Sequence, residues 1–474
     1  MTQRSSRPSR PRRPHPPRRR TGPVRPPQDD PARQAALDTL RAVRRRDAYA
    51  NLVLPGLLRE RRITGRDAAL ATELTYGTLR AQGLLDAVLA ACSDRPLSEV
   101  DGAVLDALRL GAYQLLRTRV PAHAAVASTV DLVRAELGSG AAGFANAVLR
   151  RVTGQDEQGW VEEVAPDEDS DPIGYLAMAN AHPRWIAQAF AEALGSRGEP
   201  LRDALVADDA RPAVHLAARP GEVTADELAA MTGGEPAPYS PYGVRLEEGG
   251  DPGDLEPVRE RLAVVQDEGS QLCAVALTRV PLEGPDSRWL DLCAGPGGKA
   301  VMLGALAALS GADVDAVEKA PHRAELIRKA AVGLPVTVRV ADGRDPDLPA
   351  GSFDRVLVDA PCTGLGALRR RPEARWRRQP SDVAPLARLQ RELLTSALEL
   401  VRPGGVVAYV VCSPHLSETV GVVADVARRT GAERLDTREF FPGVPELGDG
   451  PQVQLWPHLH GTDAMFCAVL RRPA

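Results

Sequence analysis

Between residues 31 and 155 the apolar positions recur with the period of an α-helix. Leu105, Leu108, Ala112, Leu115 and Leu116 fall on one helical face. Similar stripes run through 34–60, 66–92, 122–136 and 141–153, broken at Gly65, Pro96, Pro121 and the Gly138–Gly140 turn. No alternating pattern interrupts them, which predicts an all-helical domain over 31–155. The acidic run from Asp156 to Asp171 reads as a linker over 156–172. Residues 173–265 begin helical and continue as short β-like runs such as Ala213-Val214-His215-Leu216, predicting a small α+β subdomain.

From residue 266 to 474 the pattern changes again. Trp289–Cys293, Val314–Glu318, Val336–Val340, Val356–Asp359 and Val406–Val411 are short apolar runs separated by helical stretches. Alternation of this kind predicts a doubly wound, mostly parallel Rossmann-like sheet. The runs end in Glu318, Asp359 and Cys412, with Asp342 just beyond the third. Such sheets bind ligands at the carboxyl ends of their strands.

Composition refines this reading. The chain has 474 residues and a formal net charge of −4, so its basic character is local. Residues 1–30 mix Arg, Pro and Ser with no acid before Asp29, a composition that predicts a disordered tail. A second basic cluster, Arg369-Arg370-Arg371 with Arg375, Arg377 and Arg378, surrounds Trp376. We expect phosphate contacts from Arg369, Arg370, Arg371 and Arg377, with Trp376 packed in the core. There is no apolar run long enough for a membrane span and no signal-peptide pattern, so a soluble cytoplasmic protein is expected. The six cysteines have no metal-ligand spacing, so no metal site is expected, and a disulfide framework does not suit so long a chain.

Two segments carry chemistry. The first is Asp291-Leu-Cys293-Ala294-Gly295-Pro296-Gly297-Gly298-Lys299, a glycine-rich turn after a strand, with Glu318 ending the next strand. Glycines there allow close backbone approach to a ligand, and the acid can accept from ribose hydroxyls. By itself this fits a nicotinamide enzyme as well as a methyltransferase.

The second segment separates these readings. Asp359-Ala-Pro-Cys362 and Val411-Cys412-Ser413 end neighbouring strands. Carbon 5 of cytosine is a poor nucleophile until a thiolate adds at carbon 6, after which it can attack a sulfonium methyl. That chemistry needs a cysteine beside the cofactor, an acid near the pyrimidine edge, and a base. Spacing leaves open which of Cys362 and Cys412 attacks. Cys293 is expected to line the cofactor pocket without reacting. Cys92, Cys273 and Cys467 read as buried small hydrophobes.

These segments, together with Arg369-Arg-Arg-Pro-Glu-Ala-Arg-Trp376, resemble the bacterial RsmB/Sun family, which methylates carbon 5 of a cytosine in 16S ribosomal RNA. Tyr76-Gly-Thr-Leu-Arg80, Leu108-Arg-Leu-Gly-Ala-Tyr-Gln114, Val120-Pro-Ala-His123 and Phe144-Ala-Asn-Ala-Val-Leu-Arg150 resemble its NusB-like RNA-binding domain. The resemblance implies S-adenosylmethionine as cofactor, held by Cys293 to Lys299, Glu318, Asp342 and Asp359. It makes Cys412 the nucleophile and Cys362 the residue that aids product release. DNA cytosine methyltransferases attack instead from the cysteine of their Pro-Cys motif, which corresponds to Cys362.

The implied substrate is unassembled 16S RNA, with no obligate protein partner. Transfer RNA, another ribosomal site and a non-catalytic RNA adaptor are the alternatives. Departures from the family pattern are Val411 before the nucleophile, Thr419 after the acid Glu418, Glu318 in place of Asp, and Gly461-Thr-Asp-Ala-Met-Phe466 near the C-terminus. None removes a reacting group.

Overall fold

A computed structural model describes residues 30–246 and 250–474. The Arg/Pro-rich tail expected to be disordered lies outside the described residues, apart from Asp30. Asp30 accepts a hydrogen bond from the Arg33 amide and caps the first helix, Pro31–Arg46. Helices Ala50–Glu60, Gly65–Ala91, Gly102–Arg117 and Ala122–Val152 follow, as the periodicity predicts. The last is broken at Gly138, whose φ of 87° is open to glycine without a Cβ penalty. Leu108 and Ala112 of the predicted stripe are fully buried.

The linker expected over 156–172 is corrected by the structure. Residues Glu157–Val164 form a helix capped by Asp156, and Trp160 and Val161 join the core of the N-terminal helical domain. The Trp160 indole donates to the Val152 carbonyl at 2.9 Å. Several acids that suggested a solvated linker instead face water or cap helices; Asp171 caps the next helix, Pro172–Ala179.

Helices Pro172–Ala179, Arg184–Leu194 and Glu199–Asp209 share a core with Leu365, Leu368, Trp456 and Ala464 from the C-terminal domain. After them comes a small antiparallel sheet of β1 (Val214–Ala218), β2 (Glu235–Pro236), β3 (Gly243–Leu246) and β4 (Ala263–Val265), in the order β2-β3-β1-β4. Residues 173–265 thus combine helices with a small sheet, the helices packing on the C-terminal domain and the sheet having a core of its own.

The C-terminal sheet contains β5 (Arg288–Asp291), β6 (Asp313–Glu318), β7 (Val336–Val340), β8 (Phe353–Asp359), β9 (Val401–Val411), β10 (Glu433–Arg434), β11 (Val453–Gln454) and β12 (Phe466–Arg471). Its order is β10-β12-β9-β8-β5-β6-β7, with β11 paired to β12. Strands β5 to β9 are parallel and β12 runs antiparallel against β9. Helices on both faces explain why β8 and β9 are near-continuous apolar runs rather than alternating ones. From β5 the chain winds outward through β6 and β7, then returns to β8 on the other side. The crevice at that reversal lies over Asp291 and Asp359. Among the described residues, no helix is long and apolar enough to cross a membrane.

Candidate active site

The glycine turn leaves β5 at Asp291 and enters helix Gly298–Ser310. Gly297 caps that helix at φ 122°, a conformation L side chains rarely adopt. Gly295 faces Glu318 so closely that a Cβ there would lie 2.0 Å from Glu318 Oε2. The Ala294 amide donates to the Val317 carbonyl at 2.9 Å, which stitches the turn to the end of β6. Glu318 is buried; its Oε1 accepts from the Ala320 amide at 2.8 Å, and its Oε2 is 3.5 Å from Arg323. Cys293 borders the turn, and burial pushes its thiol well up, as suits an unreactive wall.

Charges are arranged around this turn. The Lys299 ammonium donates to Asp359 at 2.8 Å. Burial opposes its charge, but the Asp359 carboxylate outweighs that cost and holds it above the ordinary lysine range. Asp342, beyond β7, receives Arg344 at 2.7 Å and Lys319 at 2.9 Å, and these bonds hold its carboxyl below the usual range. Asp291 differs from both. It is fully buried, and among the described residues no side chain hydrogen-bonds to either of its oxygens. Burial, reinforced by the nearby Asp359, pushes its carboxyl up to about 7. A buried carboxyl with no side-chain hydrogen bond, beside a glycine cradle and two further acids, fits a ligand that carries cationic groups and a ribose.

The two candidate thiols meet at the same end of the sheet. Cys362 follows β8 and Cys412 follows β9, and their Sγ atoms are 3.5 Å apart. The Gly366 amide donates to the Cys412 carbonyl at 2.9 Å, closing one loop over the other. The hydrogen bond between the thiols, followed by burial, pushes Cys362 well above the ordinary thiol range. Cys362 and Cys412 are half-buried as residues, whereas Cys92, Cys273 and Cys467 are buried as expected.

The arginine cluster is a correction. Arg369 is buried, with bonds to Asp463 Oδ1 at 2.9 Å and the Gly461 carbonyl at 2.8 Å. Arg370 donates to Asp267 at 2.7 Å, Asp463 at 2.9 Å and the Ala213 carbonyl at 3.0 Å. Arg377 donates to the carbonyls of Val43, Asp47 and Ala48, at and just beyond the C-terminal end of the first helix, where backbone acceptors lack intrahelical partners. These three guanidinium groups are committed inside the protein and are not an open phosphate surface.

Arg371 differs: it is exposed, its guanidinium lies 5.7 Å from the Tyr49 ring, and it has no carboxylate partner among the described residues. Trp376 packs as expected, its indole donating to the Leu79 carbonyl at 2.7 Å. Arg375, fully buried, reaches Asp208 at 3.2 Å and Asp209 at 2.9 Å. The loop therefore fastens the N-terminal helical domain to the catalytic sheet. Asp267 and Asp463 were missed as its partners. The only signal was that the chain's 63 acidic residues outnumber its 59 basic ones, so that clustered arginines have carboxylates to meet.

Comparison with known proteins agrees with this architecture. Residues 280–471 match the family described as 16S rRNA methyltransferase RsmB/F, and residues 30–154 match the NusB family. A Mycobacterium tuberculosis protein named only as a methyltransferase, Rv1407, is 63% identical over 96% of this chain and 99% of its own. The ribosomal RNA small subunit methyltransferase B of Klebsiella pneumoniae is 34% identical over 84% of this chain and 91% of its own. Among solved structures, PH0851 shares the fold, with a TM-score of 0.77 at 20% identity over 94% of this chain and 99% of that one. A NusB-like helical domain fastened to a Rossmann-like methyltransferase sheet, in a chain this similar to curated relatives, means that the protein belongs to the RsmB/F family of 16S rRNA methyltransferases.

Proposed function

We propose that the protein methylates carbon 5 of an unstacked cytosine in 16S ribosomal RNA, with Cys412 as nucleophile. The observation that carries this reading is the pair of thiols 3.5 Å apart beside the glycine turn. One sulfur attacks and the other attends its departure. S-adenosylmethionine is the methyl donor of the family, and when bound it supplies an electrophilic methyl group. Cys293, Ala294, Gly295, Pro296, Gly297, Gly298 and Lys299, with Glu318, Asp342 and Asp359, are the residues we assign to holding it. The buried Asp291 carboxyl supports that assignment, because a cationic ligand offsets the cost of its burial beside Asp359.

In this mechanism Cys412 Sγ adds to carbon 6 of the ring, which leaves carbon 5 electron-rich enough to accept the methyl group. Asp359, oriented by Lys299, faces the pyrimidine edge. The carbon-5 proton then passes to a base or to solvent water, and its electron pair re-forms the 5,6 double bond as the bond to Cys412 Sγ breaks and the thiolate leaves. Cys362, kept as a neutral thiol, is placed to donate a hydrogen bond to that departing sulfur. The target base must leave its stack for a thiolate to reach the ring face, so a single-stranded segment of RNA is the expected substrate. Arg371 beside Tyr49 is the remaining candidate for phosphate contact from the arginine loop.

The test is methyl transfer from labelled S-adenosylmethionine to protein-free 16S RNA, assembled small subunits and transfer RNA, followed by nucleoside analysis. The expected result is 5-methylcytosine in protein-free 16S RNA. Cys412→Ala should be inert and Cys362→Ala should accumulate a denaturant-resistant RNA adduct. An adduct that forms with Cys412→Ala instead would reverse the two roles, and methylation of transfer RNA alone would replace the substrate.

A further inference from the structure

Glu418 has no role in the reaction as written, yet it sits fully buried between the two reactive loops. Its Oε1 accepts from the Thr363 amide at 2.8 Å and from Gln390 Nε2 at 3.1 Å. Its Oε2 accepts from Ser413 Oγ at 2.7 Å and from the Thr363 hydroxyl. Thr363 directly follows Cys362, and Ser413 directly follows Cys412. The two hydroxyls also touch each other at 3.2 Å. Gln390 extends the network, donating to the Pro361 carbonyl at 2.9 Å on the other side of Cys362. Tyr409 of β9 anchors the acid itself, its hydroxyl donating to the Glu418 carbonyl at 2.7 Å.

We propose that Glu418 is a positioning residue that clamps the loops after β8 and β9 together and thereby sets the separation of Cys362 and Cys412. The proposal rests on the two-thiol reading above. A single carboxylate receives donors from both loops, and each tie is one residue away from a reacting sulfur. Four donors satisfy the buried charge without a cation, so the clamp is held by directional bonds and not by an ion pair that could slide. Pairing of β8 with β9 and the Gly366 amide to Cys412 carbonyl bond bring the loop backbones together, and the carboxylate adds side-chain ties at the residues that directly follow the two thiols. The Glu418 charge also adds to the effects that disfavour a thiolate at Cys362, which keeps the two cysteines in different roles.

The isosteric variant distinguishes position from charge. In Glu418→Gln the amide oxygen can keep the bonds from Thr363 N and Gln390, and the amide nitrogen can donate to hydroxyls that turn to accept. Glu418→Ala removes every tie through the carboxylate and leaves the Gly366 amide to Cys412 carbonyl bond and the Thr363–Ser413 hydroxyl contact. The full-length protein is assayed for methyl transfer, S-adenosylmethionine affinity, and the rate at which diamide cross-links Cys362 to Cys412.

For Glu418→Ala, kcat should fall on the order of 100-fold, the cost of a misplacement near 1 Å. Cofactor affinity should stay unchanged and cross-linking should slow at least about tenfold. Glu418→Gln should recover most of both. Ser413→Ala, which loses one tie, should be intermediate and serves if Glu418→Ala does not fold. Wild-type cross-linking in both Glu418→Ala and Ser413→Ala would overturn the clamp, as would a Glu418→Gln variant as impaired as Glu418→Ala. Cross-linking needs no RNA, so failure of the cytosine reading and failure of the clamp give different results.

Discussion

Cys362 Sγ and Cys412 Sγ are 3.5 Å apart although 50 residues separate them in the chain. The parallel pairing of β8 with β9 brings their loops side by side, with Asp359 opposite Val410 in register. A thiol pair this close is also an oxidation-sensitive one. Treatment with diamide should join Cys362 to Cys412, abolish methyl transfer, and be reversed by dithiothreitol. Peptide mapping checks the linkage. Loss of activity without that cross-link would show that a different cysteine carries the sensitivity.

Asp291 should make the free protein's stability depend on pH in an unusual direction. Its carboxyl is pushed up to about 7 in the fold by burial and by Asp359, from an ordinary value of 3.8. The native state therefore holds a proton that the unfolded chain has lost between those values. Stability from this group is present below about pH 4 and declines as pH rises towards 7, by roughly 4 kcal/mol for a shift of that size. Asp291→Asn should flatten the decline in thermal melts while weakening cofactor binding. Melting curves for wild type and variant that stay parallel across this range would disprove it.

Gly295→Ala should weaken cofactor binding and leave the fold intact. The added Cβ would lie 2.0 Å from Glu318 Oε2 and 2.8 Å from Arg323 Nε, so one of these side chains must leave its place. Titration calorimetry with S-adenosylmethionine should show at least about tenfold weaker binding, the equivalent of 1.4 kcal/mol. Undiminished affinity would mean that Glu318 does not face the ligand.

Neighbouring arginines should behave in opposite ways. Arg369→Ala removes one of the two guanidinium partners of Asp463 and Asp267, Arg370 keeping the other, and loss of such charge-assisted bonds costs on the order of 1.5–3 kcal/mol of stability. Arg371→Glu changes an exposed group, so its melting temperature should hold while RNA affinity falls and the salt dependence flattens by about one ion. Denaturant melts and RNA binding at several salt concentrations separate the two effects. A destabilised Arg371→Glu with wild-type RNA affinity would leave the loop a purely internal fastener.

Much of the architecture is local in origin and so could be read along the chain. Leu108 and Ala112 lie on one face because a helix repeats every 3.6 residues, and the runs ending at Asp291, Glu318 and Asp359 are apolar because both faces of a parallel sheet are covered. The glycine turn was legible because Gly297 needs a backbone conformation that few other residues tolerate. What only the tertiary structure decided is where charges and sulfurs meet. Trp160 turned an acidic stretch into a packed helix by reaching back to Val152. Arg369 and Arg370 find Asp463 more than 90 residues away, and Asp267 about 100 residues away, so nothing in the run Arg369-Arg370-Arg371 reveals that two of its members are tied to internal carboxylates and one is exposed. The same holds for Glu418, whose bonds to Thr363 span 55 residues. Helix and strand periods follow from backbone geometry, which each segment carries with it. The partner of a buried charge is set by the folding of distant segments onto one another.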